Sequence, residues 1–298
     1  MIQSHIGEFA ALLTVFCWTV SALSFEYAGK KVGSLSLNLI RLVMGIGLLS
    51  VSLYITQGSF IPVHTSRHTW MWLTISGIVG YGLGDLLLFQ AFVVVGARIS
   101  MLMMALSPPI TALIGGTFLG EKLAPLDFLG MGITITGVSI VIFQHSSDTK
   151  SIKLAHPAMG ILMAFGATVF QSAGLVISKF GISDGSAISA AFIRGVAGTI
   201  VFFLIIVAFK KAGNIKMALK NIKAMNITFL GAFFGPFIGV TLSLFAVQHT
   251  ATGIASTIMS IVPVFIILPS VLIFKEKITI KEVVGAIIAV SGVGILFM

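Results

Sequence analysis

The sequence predicts an all-α integral membrane protein of ten transmembrane helices, arranged as two inverted five-helix repeats. Three observations carry this reading. The 298 residues are 57% hydrophobic and 9% charged, with a mean hydropathy of +1.11, whereas soluble domains carry about 25% charged residues. The apolar residues form continuous runs instead of the ~10-residue alternating segments of a membrane barrel. Lipid offers the backbone no hydrogen-bond partner, so such runs must be helical. The chain also repeats itself. A shift of 155 residues places Gly80 on Gly235, Gly84 on Gly239, Pro108 on Pro263, Glu121-Lys122 on Glu276-Lys277, Gly130 on Gly285 and Gly137 on Gly292. A shift of 153 places Gly7 on Gly160, Arg41 on Arg194 and Gly45 on Gly198.

A span needs roughly 20 apolar residues, and ten spans with short connections use almost the whole chain. They are expected at Ile6–Tyr27, Leu35–Thr56, Thr69–Val95, Ile99–Leu119 and Leu126–Phe143 in the first repeat (residues 1–150). In the second repeat (151–298) they fall at Pro157–Ile177, Ala187–Phe209, Ile227–Val247, Ala251–Phe274 and Val283–Phe297. After five crossings the second copy starts from the opposite face, so the halves must be inverted. Inverted halves sharing a central interface are a common build of secondary transporters, which directs attention to the seam.

The first span follows Met1-Ile2-Gln3-Ser4-His5, which lacks the positive charge of a cleaved signal peptide. It contains Cys17, the single cysteine, expected to be a small buried hydrophobe. The second span carries Arg41. The third carries Gly77, Gly80, Gly82 and Gly84, followed by Asp85, and the eighth repeats the spacing as Gly235 and Gly239. G-x-x-x-G spacing lets helix backbones approach closely. The fourth span contains Ser107-Pro108-Pro109 near its middle and the ninth contains Pro263 at the matching place. Proline removes a helical hydrogen bond, so both helices should bend or unwind there. Duplicated breaks of this kind point to a binding site between the halves; the plainer alternative is a packing kink.

Asp85 is the most costly residue in the sequence. An isolated charge at this depth costs ~2.5–3.5 kcal/mol on insertion scales, and its repeat equivalent is Val240. Arg41 and Asp85 are expected at similar depth, ~22–24 Å from the face at Thr56 and Thr69 at 1.5 Å per residue. Two readings follow: a structural ion pair, or an Asp85 that handles substrate or a coupling proton. Glu26 is a competing partner for Arg41. Arg194 has no equivalent carboxylate and is expected to snorkel to its interface, the alternative being that it faces the cavity and attracts anionic groups. Trp18 and Gln171 occupy equivalent places in the first and sixth spans, and Tyr81 lies one turn from Asp85. With Asp85 and the two prolines they are the candidate cavity wall; Asn38, Gln90 and Gln248 are further polar positions expected inside the bundle.

The net charge of +9 sits almost wholly in loops, so orientation explains it better than nucleic-acid binding. Loops after odd-numbered spans carry thirteen of the eighteen basic residues, including Lys210, Lys211, Lys216, Lys220 and Lys223; the face bearing the termini carries three. The positive-inside rule then puts the thirteen-charge face in the cytoplasm and the termini outside. His64 and His68 have i, i+4 spacing but no third ligand nearby, so a zinc site is not expected, and no other cofactor is implied. No phosphate-binding G-x-x-x-x-G-K-[ST] loop occurs. A membrane-embedded enzyme would need a cluster of acids, histidines or metal ligands that is not visible. A non-transporting scaffold would explain the glycines and leave Asp85 without a role.

These motifs resemble the EamA-type, ten-helix branch of the drug/metabolite transporter superfamily. The resemblance rests on Ser107-Pro108-Pro109-Ile110-Thr111-Ala112-Leu113 followed by Gly120-Glu121-Lys122-Leu123, and on Val262-Pro263-Val264-Phe265 followed by Lys275-Glu276-Lys277-Ile278, each before a glycine-rich span. Arg41 and Arg194 also match. The resemblance implies a carrier of small metabolites such as amino acids or their relatives, often exported, in a bacterial cytoplasmic membrane. It places both termini in the cytoplasm, opposite to the charge count. Gly84-Asp85 is not part of the general pattern, so the resemblance supplies no substrate.

Overall fold

The computed structural model describes residues 5–63, 65–118, 125–145, 152–154, 157–182, 186–249, 255, 258–275 and 278–295. Glu121, Lys122, Glu276, Lys277 and His64 lie outside them. Helices occupy all ten apolar segments among the described residues. Six stretches are long and apolar enough to cross a membrane: Ile6–Val32, Ser34–Gln57, Arg67–Met104, Ala158–Gly181, Ala187–Ala208 and Ile222–His249; shorter apolar helices fill the remainder.

Helices α1 (Ile6–Val32) and α2 (Ser34–Gln57) meet at Gly33, whose φ of 81° is open only to glycine without strain. Ser66 caps α3 (Arg67–Gly77), its hydroxyl accepting the Thr69 amide at 3.1 Å. A π-helical segment, Ile78–Gly84, follows and leads into α4 (Asp85–Met104). Gly96, at φ 84° and ψ 162°, breaks α4 and separates the third span from the fourth. The Glu26 carboxylate accepts the Ala97 amide at 2.8 Å and pairs with Lys30, satisfying a buried backbone N–H at the start of the fourth span.

The fourth span is broken again at Ala105–Leu106, before α5 (Ser107–Phe118). The prolines therefore lie in the first turn after this interruption, where the missing N–H costs no intrahelical bond. The ninth span does the same: the chain turns at Ser260–Ile261, and α12 (Val262–Phe265) begins with Pro263 in its first turn before α13 (Ile267–Phe274). The first repeat ends with α6 (Pro125–Ile142). Among the described residues the link to the second holds the one departure from helix, an antiparallel pair of β1 (Phe143–His145) and β2 (Ile152–Leu154).

The second repeat runs α7 (Ala158–Gly181), α8 (Ala187–Ala208), a lysine-bearing α9 (Ala212–Lys220) and α10 (Ile222–Ala232). A second π segment, Phe233–Gly239, precedes α11 (Val240–His249), and α14 (Ile280–Ile295) closes the bundle. The two π segments begin and end at positions 155 apart. Pro236 is accommodated inside the second of them.

Repeat-equivalent residues meet across the seam. On α6 and α14, Thr134 Oγ1 donates to the Ala289 carbonyl at 3.3 Å, a contact between positions 155 apart. A Cβ on Gly137 would strike Ala289 and Gly285, and one on Gly292 would strike Thr134 and Gly130. The neighbours fall along α14 as they rise along α6, so two copies of one helix pack antiparallel. The third span packs on the sixth in the same way that the eighth packs on the first. Ser76 Oγ donates to the Gly174 carbonyl (2.6 Å), and Ser21 Oγ to the Gly231 carbonyl (3.2 Å). Ser76 and Gly231 are equivalent positions, as are Ser21 and Gly174.

Candidate functional site

Asp85 sits at the first turn after the π segment, 4% exposed. Its Oδ2 accepts Arg41 Nη2 in a buried ion pair, and its Oδ1 accepts Gln171 Nε2 at 2.5 Å. Asn38, one turn before Arg41, orients the pair: its Oδ1 accepts Arg41 Nε at 2.9 Å and its Nδ2 donates to the Asp85 carbonyl at 3.3 Å. Phe89 lies under the Arg41 guanidinium, 4.1 Å from Cζ to ring centroid. Both carboxylate oxygens and the guanidinium are thus hydrogen-bonded, the condition under which a charged pair is tolerated in a low-dielectric interior. Glu26 does not compete for Arg41.

Arg194 does not snorkel. It is 5% exposed, and its Cζ stands 5.0 Å from the Tyr81 ring centroid. The glycine face of the third span explains the seat. A Cβ on Gly77 would lie 2.5 Å from the Arg194 carbonyl oxygen and one on Gly80 3.1 Å from Arg194 Nη2, so only bare backbone lets α8 come this close. The guanidinium is directed inward, over the aromatic ring, because a side chain pressed against that face has no path to its interface.

One cavity of about 200 Å³ lies between the repeats. Trp18, Tyr81, Asp85, Gln171, Pro108 and Pro263 all line it, and so do Arg41 and Arg194. The residues read in the sequence as a cavity wall and as an ion-pair group therefore share one chamber. Sequence reasoning missed Phe25, Phe89, Met104 and Ser260 in the wall; the first three are apolar residues in apolar runs and carry no signal. Ser107 bonds Ser172 across the seam at 2.8 Å, and the serine beside Pro108 was the available clue.

Among the other polar positions, Asn38 is fully buried and Gln90 accepts the Ser34 hydroxyl at 2.5 Å. Gln248, expected inside the bundle, is instead exposed, beside a separate pocket that Lys179 and His249 also line. Cys17 is buried. Among the described residues no three His, Cys, Asp or Glu side chains are grouped as a metal site would need.

Comparison with known proteins agrees with this architecture. A Bacillus subtilis (strain 168) protein described as the uncharacterized transporter YyaM is 23% identical over 294 residues, covering 98% of this chain and 93% of that protein. A solved crystal structure, described only as that of a protein, shares 17% identity and superimposes with a TM-score of 0.64 over 97% of this chain and 95% of its own. The model of the EamA-like transporter family matches twice, over residues 5–143 and 158–298, once for each repeat. The chain is a multi-pass membrane protein that belongs to the EamA-like transporter family.

Proposed function

We propose that this protein is a secondary carrier that moves a small polar or amphipathic metabolite across the cytoplasmic membrane by alternating access, the two repeats rocking about the cavity at their seam. Amino-acid-like compounds and export are the class and direction implied by its resemblances. One observation carries the reading: a cavity between inverted repeats holds Arg41, Asp85 and Arg194 at 3–5% exposure. Intramembrane charges that face a cavity mark substrate or ion pathways, and broken helices beside a seam are the usual surroundings of such a site. Asp85 is the candidate for carrying a coupling proton.

The test is counterflow in proteoliposomes. With unlabelled solute inside, labelled solute outside should accumulate transiently for at least one member of a panel of amino acids, amines and carboxylates. Accumulation of no member would sink the carrier reading. An imposed pH gradient should change the flux, and Asp85→Asn should abolish that response; a flux indifferent to the gradient would remove the proton.

A further inference from the structure

We infer that Arg194 and Tyr81 form an anion subsite in the cavity, and that the transported molecule is a small monocarboxylate with an apolar, aromatic or branched body. The inference rests on the carrier reading and narrows its substrate class.

The charges facing the cavity do not balance. Arg41 is positive and Asp85 negative, and they neutralise each other; both oxygens of Asp85 are already taken, by Arg41 and Gln171. Arg194 adds a second positive charge. Among the described residues it forms no ion pair, and its Nε, although buried, has no acceptor. The Tyr81 hydroxyl is likewise buried without a partner. Both residues are 5% exposed and both line the cavity. Two unmet donors, one of them charged, therefore sit beside each other at the cavity between the repeats. Such groups are costly unless an acceptor arrives.

The repeat shows where the acceptor has been lost. Arg41 and Arg194 are equivalent, but Asp85, the acceptor of the first, is matched by Val240 in the second half. The second copy keeps the cation without a protein carboxylate. A carboxylate brought by the ligand completes the pattern, accepting from the guanidinium fork and from the Tyr81 hydroxyl.

Charge and lining narrow the ligand further. A single uncompensated positive charge matches one negative charge, whereas a phosphate monoester carries close to two. Among the described lining residues the one carboxylate is Asp85, which is already saturated, so an ammonium group finds no anionic partner. The remaining wall offers Trp18, Phe25, Phe89 and Met104 to an apolar body. A monoanion should therefore be preferred over the zwitterion of the same shape, a narrower class than amino acids at large.

The test uses the purified full-length protein in detergent, with phenylacetate, 4-methylvalerate and indole-3-acetate, each beside its primary amide, and with phenylalanine. Dissociation constants are read by calorimetry or by thermal shift. At least one acid should bind tenfold or more tightly than its amide and than phenylalanine. Arg194→Gln should bring the acid-to-amide ratio near one, and Arg194→Lys, which keeps the charge without the fork, should restore part of it. Tyr81→Phe keeps the ring beneath the guanidinium and should weaken the acid several-fold with the amide unchanged. No acid binding better than its amide, or a ratio unchanged in Arg194→Gln, would overturn the inference. Should Arg194→Gln not fold, Tyr81→Phe decides, and an acid affinity unchanged in that variant also overturns it. Counterflow of a neutral metabolite in a protein that discriminates against these acids would remove the subsite and leave the carrier. Acid binding without counterflow of any solute would do the reverse.

Discussion

Arg41 and Arg194 hold equivalent places in the two repeats, and their surroundings differ by one carboxylate. Arg41 is neutralised by Asp85 and braced by Asn38, so removing either partner leaves a charge stranded in a low-dielectric chamber. Arg41→Ala should lower the stability of the detergent-solubilised protein by about 3–5 kcal/mol, measured by thermal or denaturant unfolding. Replacing both partners, Arg41→Met with Asp85→Leu, should return it to within about 1 kcal/mol of the native protein, because a well-packed apolar pair substitutes for a buried ion pair at little cost. Flux separates the two roles of the pair: the double variant should be stable and inactive, and retained transport would make the pair purely structural. At this scale the sequence was informative wherever a residue violated its surroundings. Asp85 stood out because charge is rare in an apolar run. The inward course of Arg194 was hidden, because depth in a span does not reveal which helix face meets a neighbour, and the glycines that trap it lie more than a hundred residues away.

The third span shows how an element positions these residues. Gly77, Gly80 and Gly84 form a bare strip on which α7 and α8 rest, and a Cβ on Gly84 would lie 3.2 Å from Gln171 Cγ. Gly77→Ala should therefore force the third and seventh spans apart, since its Cβ meets the Arg194 backbone and not a flexible side-chain end. The expected loss is about 1–3 kcal/mol, accompanied by reduced flux because Arg194 moves with its helix. Gly47→Ala, with nothing within 4 Å of the new Cβ, should stay within about 0.5 kcal/mol of the native protein. Equal melting temperatures for the two variants would contradict the packing argument. The spacing of these glycines was legible in the sequence, but the π turns they sit in were not. Within those turns Tyr81 and Pro236 press against Gly198 and Gly45, tertiary contacts that no local pattern reveals. The prolines were legible as the places where the fourth and ninth spans bend or unwind, and the helices are interrupted just before them; position in a span does not tell a bent helix from the first turn of a new one.

At the scale of the whole molecule, inversion is the property the sequence carried most fully. An odd number of spans per repeat requires it, and the antiparallel meeting of α6 with α14 follows. Such a molecule is nearly the same either way up, so the protein interior offers little to decide its orientation and the flanking charges must. Thirteen of the eighteen basic residues lie beyond odd-numbered spans and three on the face of the termini. Lysines near an anionic surface contribute about 1 kcal/mol each. The structure adds an anchor to the same face: α9 carries Lys216 and Lys220 and exposes Met217 and Leu219, the composition of a helix lying in the interface. The charge argument therefore predicts termini outside the cytoplasm, whereas the resemblance implies termini inside it. Alkaline phosphatase fused to the C-terminus should be active, and a fluorescent protein fused there, which matures in the cytoplasm, should stay dark. Because the preference is the sum of many small terms, replacing Lys210, Lys211, Lys216, Lys220 and Lys223 with glutamine should produce a mixed population. A bright, phosphatase-inactive fusion in the native protein would show that the lysines do not set the orientation.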